Sequence, residues 1–342
     1  MKKSKSVVAV KYSRPDVFRA VKDAMELAEW NKYIRKDEPV ALKPNLGWDF
    51  MFPGAISSPW VIEGVVKVIK EKVKKVYMVE SDQVLVKADK VFKMTGMNKI
   101  CDKYDIEWVN MSKGKFETIH LEDAYVLHEV DIPEILTRTQ LITLPLMKTH
   151  GKTTITGALK NQWGCLRKLR HNYHLVVNQA LADINSIAKA KFCVMDGTVG
   201  LEGDGPKSGI PKVTNLVLAS ADPVAIDTVA SKIMGFDSKE IKHLEICNNK
   251  KIGENNLDKI DIKGEDISKY QYHFEPASHN IVSKVELFFR KSFLRPLVFK
   301  TNILDIMCFG AKFWYWIWEN FGPGKKRQAE IFKDSFYGEQ WK

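Results

Sequence analysis

Short apolar runs, each ending in polar side chains, recur along this chain. Pro39–Leu42 ends in Lys43-Pro44-Asn45, Val76–Val79 in Glu80-Ser81-Asp82, and Leu141–Met147 in Lys148-Thr149-His150-Gly151. Phe192–Met195 ends in Asp196-Gly197, and Leu216–Ala219 in Ser220-Ala221-Asp222. Runs this short, bounded by breakers, read as buried strands. The stretches between them carry helical spacing. Val17, Val21, Ala24, Leu27 and Ala28 share one face of a helix opened by Pro15. Ser58-Pro59 is a good helix start, and Val61, Ile62, Val65, Val66 and Ile69 form the stripe that follows. His174–Ala190 and Pro223–Met234 read the same way. Strand, helix and strand in alternation predict an α/β fold with a mostly parallel sheet and flanking helices.

In such sheets ligands sit outside the carboxyl ends of the strands. If the strands are parallel, the polar run-ends converge on one rim. Asp and Ser after a strand also cap helices, which accounts equally well for Ser220 and Asp222. Lys43, Lys148 and His150 are poor caps and are better read as functional. Lys148, His150 and Asp196 are therefore candidate catalytic residues, with His150 the natural acid or base. Lys43, Asn45, Glu80, Thr149, Lys160 and Asn161 are candidate substrate contacts. Lysine binds anions as a point charge with three donors, and asparagine both donates and accepts.

The segment Val199–Pro211 reads as a glycine-rich loop. Five glycines between Gly197 and Gly209 permit positive φ and close backbone approach to an anion, which adds Gly200, Gly203 and Gly205 to the candidates. It matches neither GxxxxGK[ST] nor GxGxxG in its strand–helix setting. Glu202 and Asp204 could ligate a divalent cation there.

Charge narrows the partners. Lys and Arg number 53 against 42 Asp and Glu, a formal net charge of +11. That favours an anionic small molecule or an anionic membrane surface. The bases are scattered and no known nucleic-acid motif appears, so no nucleic acid is expected. The five cysteines show no CxxC, so no iron–sulfur cluster or local zinc site is expected, and a reducing, cytoplasmic setting fits. The organic cofactor, if any, and the oligomeric state stay open, a homo-oligomer being one option.

The composition changes near Ser278, which sets a core over residues 1–277, with room for two subdomains and a cleft, apart from a tail over 278–342. Leu287-Phe288-Phe289-Arg290-Lys291, Phe293-Leu294-Arg295-Pro296 and Phe313-Trp314-Tyr315-Trp316-Ile317-Trp318 interleave aromatic and basic residues. Asp305, Lys300 and Lys312 interrupt any spanning stretch, so an interfacial helical extension at the cytoplasmic face of a membrane is expected through residues 287–327. Packing on the core or on a second subunit is the alternative.

The motifs Lys43-Pro44-Asn45-Leu46, Glu80-Ser81, Leu144–Gly151, Leu159-Lys160-Asn161, Asp196-Gly197 and Ser220–Asp227 come in an order that resembles the family called domain of unknown function 362, from about Val7 to Phe236. Many members carry a ferredoxin-like appendage with two iron–sulfur clusters. This chain has the aromatic tail in its place, so the redox link that the resemblance implies is weaker here. The family is also distantly similar in fold to the lactate-racemase group, and fold does not fix function. The residues and the resemblance together lead us to expect an anion-binding active site, in an oxidoreductase or isomerase acting on an acidic or phosphorylated small molecule. The alternative is a non-catalytic, membrane-associated ligand-binding or redox-partner protein.

Overall fold

The computed structural model describes residues 5–278, 281–293, 303–321, 323–333 and 335–341. Twelve strands are described: β1 (Ser6–Tyr12), β2 (Pro39–Lys43), β3 (Lys75–Glu80), β4 (Glu107–Asn110), β5 (Phe116–His120), β6 (Glu129–Pro133), β7 (Gln140–Thr143), β8 (Leu146–His150), β9 (Thr154–Ile155), β10 (Ala190–Glu202), β11 (Ile210–Ser220) and β12 (Ile260–Gly264). The main sheet runs β12-β1-β11-β10-β7-β2-β3-β4, with β8 beside β10 and β9 on β8, while β5 and β6 pair separately. From β10 through β7, β2 and β3 to β4 every pairing is parallel. Their apolar runs put Val40, Leu42, Met78, Ile142 and Phe192 under the helices Val17–Leu27 and Pro59–Ile69 on one face. The helix Val177–Ile187 covers the other face, with Ala41, Val79 and Leu141 against it. The helix Pro223–Met234 covers the β1–β11 end.

Three expectations fail at particular residues. Leu141–Met147 is not one strand. It breaks at Leu144-Pro145, where proline cannot supply a ladder N–H, and β7 and β8 follow one another along β10. Lys148 and His150 therefore lie inside β8 rather than beyond a strand end. Much of the glycine-rich loop is sheet: β10 and β11 pair antiparallel from Cys193↔Ser220 to Glu202↔Ile210, leaving a turn over 203–209. Asp196 is thereby mid-strand. Because β11 is antiparallel, Ser220 and Asp222 sit at the opposite edge, where Asp222 accepts from the backbone N–H of Val224 and Ala225 and caps its helix.

The tail packs on the core rather than standing clear of it. Tyr315, Ile331 and Tyr337 are buried in the same apolar cluster as the Val17–Leu27 and Pro59–Ile69 helices. Trp48 meets Tyr315 edge-on at 4.9 Å, Phe52 meets Trp318 at 5.6 Å, and Trp60 meets Phe336 at 5.4 Å. Arg295 and Lys300 lie outside the described residues. Among the described residues no helix is long and apolar enough to cross a membrane.

Candidate functional site

A cavity of about 500 Å³ opens at the carboxyl ends of β2 and β3, beside β8. That volume is within the usual range for small-molecule sites. Among the described residues seven Lys and Arg side chains line it (Lys43, Lys148, Lys152, Lys160, Lys207, Arg170, Arg290), against Glu80 and Glu286.

Each part of the floor is positioned by local structure. Lys43 ends β2 and Glu80 ends the adjacent strand β3, so the two meet: Nζ to Oε2 is 3.0 Å, with both side chains buried. Gly164 passes so close that a Cβ there would stand 2.7 Å from both Lys43 Nζ and Glu80 Oε1. Only glycine fits. Side chains alternate along a strand, which sends Lys148 and His150 into the cavity and Thr149 away. Lys148 Nζ donates to Asn45 Oδ1 at 3.0 Å and to the Ala55 carbonyl at 2.8 Å. Asn45 Nδ2 donates to Asn161 Oδ1 at 3.0 Å, and Asn161 Nδ2 donates to Thr143 Oγ1 at 2.8 Å. Lys160 and Asn161 lie on the short helix Gly157–Asn161. The buried carboxylate of Asp227 accepts from the Ala158 and Leu159 N–H groups at its start, at 2.6 and 3.0 Å. Burial pushes that carboxyl up to about 7.

The charges are only partly balanced. Lys43 has Glu80. Lys152 Nζ, His174 Nδ1 and Arg290 Nε all converge on Glu286, at 2.6, 2.7 and 2.8 Å. Burial drives Glu286 upward, but the His174 hydrogen bond and the Lys152 charge outweigh it and hold the carboxyl far below its ordinary range. Lys148, Lys160 and Lys207 make no ion pair among the described residues. Lys160 Nζ stands 5.3 Å over the Trp163 ring and Lys207 Nζ 4.5 Å over Trp48. Burial and then neighbouring cations push Lys148 and Lys160 down to about 7, the cations being Lys160 and Lys207 for Lys148, and Lys152 and Arg170 for Lys160; burial pushes Lys207 to about 8.

His150 is held differently from what its residue type suggested. Its Nδ1 accepts the Lys152 backbone N–H at 3.0 Å, and burial beside Lys160 keeps it well below its ordinary pKa. A neutral imidazole with Nδ1 occupied carries its proton on Nε2. His150 is therefore arranged as a hydrogen-bond donor rather than a base. Near neutral pH the lysines with lowered pKa are the better proton acceptors.

Of the sequence candidates, Lys43, Asn45, Glu80, Lys148, His150, Lys160, Asn161 and Gly205 line this cavity. Asp196 does not. Its carboxylate is buried under the Pro59–Ile69 helix and accepts from Ser58 N and Thr198 N at 2.9 and 3.0 Å. Thr149 turns away and donates to the Leu201 and Gly203 carbonyls at 3.2 and 2.9 Å. Gly200 and Gly203 stand off the cavity as well; Gly200 packs on Met147 and Phe274, while Gly203 has open space around it. Glu202 pairs with Lys212 at 2.6 Å, and Asp204 accepts from Ser278. Among the described residues no group of three or more His, Cys, Asp or Glu could hold a metal ion.

Sequence reasoning missed Lys152, Arg170, His174 and Lys207, and the part of the lining that the tail supplies through Val282, Val285, Met307, Ala311, Trp314 and Tyr315. Two signals were available: Lys152 is one strand repeat beyond His150, and Lys207 is the cation inside the glycine-rich turn.

An α/β sheet with a lysine-rich cavity at the ends of its parallel strands defines the class. The chain belongs to the family described as a domain of unknown function (DUF362), whose model matches residues 40–232. It is also similar to the thylakoid-associated protein sll1697 of Synechocystis sp., at 26% identity over 226 residues, or 63% of this chain and 68% of that protein.

Proposed function

We propose that the cavity is an anion-binding active site for an acidic or phosphorylated small molecule. One observation carries this reading: Lys148, Lys160 and Lys207 line one cavity, and among the described residues none of them forms an ion pair. All three are desolvated and each has a further cation acting on it, so an anion beside them would restore their charge. A lysine near pKa 7 also accepts a proton readily at neutral pH, while the His150 Nε2–H can hold developing charge on an oxygen. Proton transfer of the isomerase kind is chemistry that these groups supply themselves.

Sulfate is a suitable probe, because its own charge is constant between pH 6 and 9. Titration calorimetry should show its affinity falling about tenfold or more across that range, with proton uptake on binding near pH 8. Lys160→Met should weaken it at every pH. A pH-independent affinity, or one unchanged in Lys160→Met, would remove these lysines from the site.

A second reading keeps the cavity and adds a membrane surface. The outer face of the tail exposes Phe309, Phe313, Trp316, Ile317 and Phe321, with Lys291, Lys325 and Lys326 also exposed. Aromatic area with cations beside it suits an anionic interface. The thylakoid association in the relative's name points the same way.

A further inference from the structure

The two walls of the cavity differ in kind. The floor presents Lys43, Lys148 and Lys160, and Lys207 reaches in from the turn over 203–209, close to the tail. The other wall comes from the helices Ile281–Lys291 and Ile303–Phe321, and beside the Glu286–Arg290 pair it presents Val282, Val285, Met307, Ala311, Trp314 and Tyr315. A small, fully hydrophilic anion would leave that wall facing water or a polar group that gains nothing from it. The wall stabilises a ligand only if hydrocarbon lies against it.

A second observation concerns the far side of the same wall. The helix Ile303–Phe321 carries large apolar side chains on both sides, although Lys312 and Asn320 also stand on it. Met307, Ala311, Trp314 and Tyr315 line the cavity, while Phe309 and Phe321 are 74% and 76% exposed. Exposed rings of that size favour hydrocarbon over water, so the wall is edged by surface of the same preference.

We propose that the ligand is an amphiphilic anion. Its phosphate or carboxylate head lies on Lys148, Lys160 and Lys207, and its hydrocarbon chain runs along the wall made by Val285, Ala311 and Trp314. This rests on the anion-binding reading above and narrows it to a substrate class. It also gives the Glu286 clasp a purpose. By tying its helix to Lys152 and His174, Glu286 fixes the apolar wall at one distance from the lysines.

The test is titration calorimetry on the full chain with inorganic phosphate, then butyl, hexyl and octyl phosphate below their micelle concentrations. Affinity should climb with chain length, by up to about fourfold per buried methylene. Val285→Asp and Ala311→Phe should each take away most of that climb, with inorganic phosphate as the internal reference in every variant. Val285 is 42% exposed, so an aspartate there stays hydrated and the protein should fold. Octanol should bind at least tenfold more weakly than octyl phosphate. Competition by phosphatidate vesicles would assign the head to a membrane lipid and its absence to a free alkyl phosphate; either result upholds the class. Equal affinity along the phosphate series would overturn the amphiphile and leave the anion site standing. Octanol binding as tightly as octyl phosphate, with inorganic phosphate silent, would overturn both.

Discussion

The floor of the cavity and its roof, the wall made by the helices Ile281–Lys291 and Ile303–Phe321, are built by opposite means. The floor is over-determined. Lys43, Asn45, Lys148 and Asn161 are fixed by strand ends, a buried ion pair and a chain of hydrogen bonds running from Ala55 to Thr143. It lies wholly within the stretch matched by the family model. The roof lies outside that stretch. Apolar contacts and the carboxylate of Glu286 hold it down. A polar network inside a protein specifies one geometry, because each broken member leaves an unsatisfied group. Apolar packing tolerates replacement as long as volume is kept. The floor is therefore the part whose geometry is set by polar groups, and the roof the part whose side chains can be exchanged at constant volume.

The sharpest way to break the comparison is at the Lys43–Glu80 pair. Removing one partner of a buried ion pair strands the other charge. Glu80→Ala should therefore cost about 3–5 kcal/mol in urea unfolding, whereas the double variant Lys43→Met/Glu80→Leu should lose clearly less. If the single variant loses under 1 kcal/mol, water reaches Lys43 and the floor is not rigid in the sense argued here.

Lys148 gives the next largest effect, and its sign depends on pH. The chemistry of strand ends suggests that Lys148 can be removed at little cost to stability, but its amine satisfies Asn45 Oδ1 and the Ala55 carbonyl. Burial lowers its pKa to about 7 in the folded protein, against about 10.4 unfolded. Between those values the unfolded chain binds more protons, so stability should rise with pH from about 7 to 10. Lys148→Met should take away its own share of that rise, leaving the shares of Lys160 and Lys207. Its loss of stability should be largest near pH 10, at about 1–3 kcal/mol from the two stranded acceptors. A variant whose stability tracks wild type from pH 6 to 10 would mean that Lys148 keeps its charge in the fold.

How far the sequence could carry this comparison follows from the same physics. The floor was legible because lysine and asparagine at the ends of apolar runs are out of place in a strand core, and parallel strands bring their ends together. Asp196 was misplaced because nothing in Phe192–Met195 marks where a strand stops, and Gly197 did not end it. β10 continues to Glu202, so the rim expected at Asp196 is the middle of a ladder. The roof was not legible as a roof. Phe, Trp and Lys at helical spacing satisfy an interfacial helix and a packed one equally, and periodicity does not say whether an apolar face meets lipid or protein. Here one face of Ile303–Phe321 meets protein at Trp48 and Phe52, and the other is open. Partnership between Glu286 and Lys152 across 134 residues has no local signature at all.

The smallest expected effect on stability separates the two faces of the tail. Phe313 and Trp316 are 54% and 43% exposed and stack on each other at 6.1 Å. About half of each ring is therefore already covered. Phe313→Ser with Trp316→Ser should cost about 1 kcal/mol in unfolding, from that covered area. Their effect should appear instead on a membrane. Exposed aromatic rings lose contact with water when they enter a headgroup region, and Lys291, Lys325 and Lys326 add attraction to anionic lipid that salt screens. Wild-type protein should co-sediment with anionic vesicles, less so in high salt, and only weakly with neutral ones. The double variant should stay in the supernatant with its fold intact. Equal sedimentation of the two would make the outer face a surface for some other contact. The roof would then remain a wall of the cavity, closed by Glu286 and independent of any bilayer.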